Sequence, residues 1–433
     1  MAPVSPGTPP TVYLHIGAPK SGTTFLQGLL WSNAEALSEA GVLLPGGSFA
    51  GQVRATRDLR GVEPEEDEPG PGWDGAWDLL ADEVKASGQR TAVLSHEVLC
   101  SVDAEGAERA VRTLAPCEVH IVYSARDLPG LLPSEWQEYV KHRFHFGFEN
   151  WLREITGGRR DGGAARWFWR VHDIPEALGR WAPHVPPERV HVLTMPGRDA
   201  PRELLWERFA GLLGIDPAVA DLTEARANSS LSWTETELLR RVNRAVDEDA
   251  PMWLYHRLVT DVLALKVLPG RGEPGRVTLP PDRRAWAEKK AHELVDAIRS
   301  AGYDVVGDLD ELLPREPVRG DDPGGAPGDA ELVDAAAHTV LGLLDRIEML
   351  REEIETLHHE RQEQHETSLP KLMARHLSER NRAVWKVRVG YWHLVERLKG
   401  IEPPAEPGTD ADDAEDTEDA EPGTVLSRRA ARR

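Results

Sequence analysis

Tyr13-Leu-His-Ile-Gly-Ala-Pro-Lys-Ser-Gly-Thr-Thr-Phe-Leu-Gln27 decides how the rest of the chain is read. The apolar run from Val12 to Ile16 predicts a β-strand, and it enters a loop of Gly, Ser and Thr. That loop opens a helix carrying Phe25, Leu26, Leu29 and Leu30. A strand–loop–helix of this kind aims several backbone N–H groups and the positive end of a helix dipole at one point. It is a phosphate site.

Residue order inside the loop narrows the ligand. A nucleoside-triphosphatase loop reads G-x-x-x-x-G-K-[ST], with the lysine directly after the second glycine and a hydroxyl for Mg²⁺ next. Gly17 and Gly22 keep the spacing, but Thr23 stands where the lysine belongs, and the lysine of this loop comes earlier, at Lys20. A nucleotide-phosphate kinase or NTP-binding regulator is the alternative reading. The displaced lysine counts against it.

Working outward, Thr91–Ser95, Glu118–Ser124 and Arg189–Thr194 read as further buried strands. Helical patterns at 75–87, 104–114, 130–143, 165–183, 201–213 and 281–301 separate or follow them, the last opening on Pro281 and stopping at Gly302. Strands alternating with helices predict an α/β domain of P-loop type: three layers, with a mostly parallel sheet flanked by helices. Ligands on such sheets bind beyond the carboxyl ends of the strands. The Gly-, Pro- and acid-rich stretch from Pro45 to Gly72 predicts a long surface loop.

After the third strand comes Ser124-Ala-Arg-Asp-Leu-Pro-Gly-Leu-Leu-Pro-Ser-Glu-Trp136. Arg126 at a strand end offers a planar charged fork, and Ser134 at the start of a helix offers a hydroxyl. Together they can pinch one phosphate.

The Pro19-Lys-Ser-Gly-Thr-Thr24 string closely resembles the 5′-phosphosulfate loop of sulfotransferases that use 3′-phosphoadenosine-5′-phosphosulfate (PAPS). Arg126-x₇-Ser134 resembles the 3′-phosphate element of the same family, after the same strand. Asn228–Asn243 and Ala301–Asp310 are similar to segments of bacterial sulfotransferase-like proteins, so the resemblance spans roughly residues 11–314. It implies that Lys20, Ser21, Gly22, Thr23, Thr24, Arg126 and Ser134 hold PAPS, with Arg226 as a further basic residue near the nucleotide. It also implies a base near the end of the second predicted strand. Glu97 is the choice there and His96 the alternative. Alternation along an extended segment points the two to opposite faces.

The chemistry follows from charge. Sulfuryl transfer is an in-line displacement in which negative charge grows on the departing phosphate, and a cation must stand at that bridging oxygen. Lys20 is the expected cation, the acceptor hydroxyl or amine needs a base within hydrogen-bond reach, and no metal is required by this scheme. The acceptor stays open: a glycan or another small molecule. Trp136, Tyr139, His142, Phe144, His145 and Phe146 follow the Arg126–Ser134 element, and aromatics at this spacing are more often core than substrate platform.

Composition bounds the rest. The chain has 433 residues and a net charge of −22, which argues against general nucleic-acid binding. Cys100 and Cys117 show no metal-ligand spacing and read as free thiols, and the N-terminus has neither a charged n-region nor an apolar h-region. The expectation is a cytoplasmic protein. Beyond a linker at 315–329, Val333, Val340, Ile347 and Ile354 alternate with Ala336, Leu343, Leu350 and Leu357 in heptads over 330–366. That pattern predicts a parallel coiled coil and a homodimer, or a helix packed on its own domain. Residues 371–400 form a basic amphipathic pattern that suits either peripheral contact with anionic lipid or packing against the coil. The acidic tail 401–433 reads as disordered. A scaffold whose business is this C-terminal region is the third reading of the chain.

Overall fold

The structure is a computed structural model, and it describes residues 9–65, 68–197, 199–224, 231–271, 277–314 and 326–366. Arg226, most of the 315–329 linker, the basic stretch 371–400 and the acidic tail 401–433 lie outside the described residues.

Six strands pair in one sheet: β1 (Thr11–Gly17), β2 (Val42–Leu43), β3 (Thr91–Ser95), β4 (Glu118–Ala125), β5 (Val190–Thr194) and β6 (Asp304–Val306). Their order is β2-β3-β1-β4-β5-β6, and every pairing is parallel. β1 lies between β3 and β4, with His15 opposite Ser95 on one side and Val122 on the other.

Alternation along the strands gives each face its own apolar set, and helices cover both. On one face Tyr13, Val93, Val122 and Leu193 pack with Leu26, Leu29 and Leu30 of the helix Thr23–Ser32 and with Trp206 and Phe209 of the helix Leu204–Leu213. The opposite face carries Val12, Leu14 and Ile16, all fully buried. There the Tyr123 hydroxyl donates to the Val171 carbonyl at 2.7 Å, tying β4 to the helix Gly163–His172. The domain is therefore a three-layer α/β fold. No described helix is long and apolar enough to cross a membrane.

Two expectations are corrected. Within the stretch from Pro45 to Gly72, Phe49–Leu59 is a helix, capped by the Ser48 side chain accepting from the Gly51 N–H. Its glycine serves close packing: a Cβ on Gly51 would stand 2.0 Å from the Gly46 carbonyl oxygen. The stretch 165–183 is not one helix but two, Gly163–His172 and Ile174–Gly179. Asp173 divides them because its side chain caps the second, accepting from the Glu176 N–H, while Pro175 sits in the first turn.

The helix Pro281–Ala301 has the predicted bounds. The C-terminal helix runs Asp329–Glu366; at its start Leu332 and Ala335 are buried, while Val333, Val340, Ile347, Ile354 and Leu357 are exposed.

Candidate functional site

The connection leaving β1 runs toward β2 on one side, and the one leaving β4 runs toward β5 on the other. A crevice opens where adjacent strands send their chains in opposite directions, and that is where such sheets bind ligands. Both predicted phosphate elements meet there. Arg126, just past the end of β4, donates from Nη1 to the Lys20 carbonyl at 3.1 Å and to Ser134 Oγ at 3.4 Å. Asp127 stands 3.7 Å from its Nε and caps the following helix, Leu128–Lys141, by accepting from the Gly130 N–H. Gly130 makes room for the guanidinium, since a Cβ there would lie 2.8 Å from Nη2.

The Lys20 loop is shaped by backbone conformations that few side chains tolerate. Gly17 has φ +115°, and a Cβ on it would stand 2.3 Å from the Glu97 carbonyl oxygen. Gly22 starts the helix Thr23–Ser32 from the left-handed region, and a Cβ there would strike Leu205 at 2.4 Å. Lys20 itself takes φ +58°. Ser21 and Thr23 are buried while Thr24 is exposed. The first N–H groups of this helix have no intrahelical acceptor, so their donors and the dipole face the crevice.

The ammonium of Lys20 is engaged. Its Nζ donates to Glu138 Oε2 at 2.5 Å, with both side chains about a quarter exposed (26% and 29%). Burial opposes the Lys20 charge, but Glu138, Glu135 and Glu97 outweigh it and raise its pKa. Burial likewise opposes the Glu138 charge, yet Lys20, His142 and Lys141 hold its carboxyl well below the usual range. Lys141 Nζ lies 3.5 Å and His142 Nε2 3.4 Å from Glu138. Glu138 and Glu135 were not read from the sequence. The signal was present: Glu138 is one helical turn beyond Ser134 and so shares its face.

β3 delivers the candidate base. Glu97 Oε2 accepts from Gln27 Nε2 at 2.8 Å, and the same amide donates to the Ser95 carbonyl at 3.3 Å. Gln27, one turn along from Thr23, thus links the helix Thr23–Ser32 to the end of β3. His96 turns away into a separate environment. Its Nδ1 accepts from the Val98 N–H at 3.4 Å and its ring stacks on Phe49, 5.7 Å between centroids. Burial lowers its pKa, with Glu97 opposing. Of the two, Glu97 is the carboxylate joined to the loop helix.

His15 is a further residue that the sequence reading passed over. Fully buried, it bridges the centre of the sheet, Nδ1 at 2.7 Å from Ser95 Oγ and Nε2 at 2.8 Å from Ser124 Oγ. Burial pushes its pKa down to about 4 against the pull of Glu97, so it is a neutral strut.

No family model, characterised protein or solved structure matches the chain.

The chemistry therefore rests on geometry. One end of the sheet gathers an unpaired helix N-terminus, an ammonium on a short carboxylate leash, a guanidinium beside a hydroxyl, and a carboxylate fixed by an amide. Trp136 and Tyr139 are core residues, as their spacing suggested.

Proposed function

We propose that the protein is a PAPS-dependent sulfotransferase. The observation that carries this is the hydrogen bond from Arg126 to the Lys20 carbonyl, which joins two separately encoded anion-binding elements across the crevice. An anion at each end of one ligand suits a nucleotide phosphorylated on both its 3′ and 5′ positions.

The residues present fit that donor. The N–H groups of residues 21–24 and the Thr24 hydroxyl would hold the 5′-phosphate, with Arg126 and Ser134 on the 3′-phosphate. When bound, PAPS supplies a sulfuryl group whose bond to the 5′-phosphate oxygen breaks as the acceptor oxygen or nitrogen bonds to sulfur. Lys20 stabilises the negative charge left on that phosphate. Glu97 takes the proton of the acceptor, and Gln27 keeps its carboxylate aimed.

Thermal unfolding with PAP, the desulfated product, tests the assignment without knowledge of the acceptor. PAP should raise the melting temperature in the absence of divalent cation. Stabilisation by Mg²⁺–ATP but not by PAP would overturn the reading in favour of a nucleotide-phosphate kinase. Lys20→Ala should keep the fold and reduce sulfuryl transfer from labelled PAPS by about a thousandfold, the scale expected when a transition-state charge loses its partner.

A further inference from the structure

Next to the Glu97 end of β3 lies a group of cations that the chemistry above does not use. Arg60 closes the helix Phe49–Leu59, and its guanidinium lies over the Trp167 ring, 5.4 Å from the centroid. Among the described residues no carboxylate forms an ion pair with it. Arg57, on the same helix, stands 4.6 Å over Trp73 and pairs with Glu68 at 2.7 Å. Arg170 spends its Nε on the Ser101 carbonyl at 2.8 Å. Arg57 stands one helical turn before Arg60, and Trp167, under the Arg60 guanidinium, stands one turn before Arg170 on its own helix. Consistent with that placement, burial lowers the Arg60 pKa, and Arg170 and Arg57 lower it further while Cys100 opposes them. His96 is pushed down by burial and by the same Arg60 and Arg57.

The helix that carries Arg57 and ends at Arg60 is fixed to the strand leading to the candidate base. Gln52 Oε1 accepts from the Ser95 N–H at 2.9 Å and its Nε2 donates to the Val93 carbonyl at 3.2 Å, pinning the arginine-bearing helix to the end of β3. Among the described residues Glu68 is the one carboxylate in an ion pair with any of these three guanidiniums, and it pairs with Arg57 alone, in a chain whose net charge is −22. Like charges gathered beside aromatic surface repel, and an anion bound among them reverses the sign of that interaction. Planar guanidinium forks match carboxylate and sulfate oxygens.

We propose that Arg57, Arg60 and Arg170 form an anion subsite for the acceptor, so that the molecule sulfated here carries a carboxylate or sulfate close to the reacting hydroxyl or amine. The word acceptor rests on the sulfotransferase reading; the anion subsite does not.

Ligand-observed NMR on the full chain tests it with two small probes, benzoate and its neutral isostere benzamide. The proteins are wild type, Arg60→Gln, Arg60→Lys and Lys20→Ala, each with its thermal unfolding recorded. Wild type should prefer benzoate by about tenfold or more, as expected for a charge-assisted pair. Lys20→Ala should keep that preference, Arg60→Gln should lose it with an unchanged melting temperature, and Arg60→Lys should retain part of it. Should Arg60→Gln fail to fold, Arg170→Gln carries the same measurement. Equal binding of the two probes to wild type overturns the proposal. So does a preference lost in Lys20→Ala but kept in Arg60→Gln, because benzoate would then be reporting on the phosphate loop. PAP added to the same wild-type sample separates the two readings. A benzoate preference without PAP binding removes the sulfotransferase and leaves the subsite; PAP binding without the preference does the reverse.

Discussion

Lys20 cannot serve a phosphate and Glu138 with the same proton, so on the proposed sulfotransferase reading donor binding has to break or share the 2.5 Å ion pair. Both partners are partly exposed, and such a pair contributes about 1 kcal/mol. Glu138→Gln should release the ammonium and remove a negative charge from the crevice. The dissociation constant for PAP should then fall about fivefold by calorimetry, the equivalent of that energy. A rise instead would show that Glu138 positions Lys20 for the nucleotide. His15 makes a second prediction at this scale. Its folded-state pKa, about 4, lies below the ordinary 6.5, so as pH falls the unfolded chain takes up the proton first. Stability is lost as pH drops below the unfolded value and levels off once the folded value is passed. Between pH 7 and about pH 5 the cost to wild type is about 2 kcal/mol, which His15→Gln should not show in urea unfolding at the two pH values. Lys20, Arg126 and Ser134 were legible because they sit in short motifs. Gln27 and His15 were not, since each acts through a partner far away in the chain, and Glu138 offered only its place one turn beyond Ser134, its Lys20 partner being remote in sequence.

Among the elements, the turn after β3 depends on two close approaches. Gly17 packs against the Glu97 carbonyl, and Gln52 supplies the acceptor for the buried Ser95 N–H. Gln52→Leu would keep much of the side-chain volume and leave that N–H without its partner, at about 1–3 kcal/mol. It would also loosen the register between the helix Phe49–Leu59 and Glu97. The expected outcome is a lower melting temperature together with a larger loss of sulfuryl transfer than of PAP affinity. Equal losses in both would place the effect on global stability. Elements were legible in proportion to their apolar length. β1, β3, β4 and β5 stand out as predominantly apolar, β-branched runs, whereas β2 and β6 have two and three residues and are held by their neighbours in the sheet. The helix Phe49–Leu59 was read as loop because Gly51 and the flanking glycines carry a turn signature, and only the contact with Gly46 shows what Gly51 is for.

For the whole molecule, the helix Asp329–Glu366 carries the prediction of self-association. Val340, Ile347 and Ile354 are 56%, 48% and 53% exposed, and Leu350 and Leu357 complete the heptads at 38% and 55%. Leu344, 56% exposed beside this seam, widens it. Charges flanking the seam do not decide pairing: in a parallel dimer Arg346 would face Arg351 of the second copy, while Glu353 would face His358. The symmetric dimer would hold two such Arg–Arg pairs, each costing roughly 0.2–0.5 kcal/mol. Each fully buried Ile or Leu contributes roughly 1.5–3 kcal/mol, so the apolar layers outweigh the repulsion. We propose a second copy of this helix as the partner, since β-branched a positions (Val333, Val340, Ile347, Ile354) and mostly Leu d positions favour two parallel strands. Sedimentation velocity should show a dimer for the intact chain and a monomer for the double variant Ile347→Glu, Ile354→Glu, because a carboxylate in a buried layer is strongly disfavoured. PAP binding should be the same in both, since Lys20, Arg126 and Glu97 all lie within the three-layer domain. A variant that stays dimeric would place the contact elsewhere, and a variant that loses PAP affinity along with the dimer would tie the nucleotide site to the partner chain.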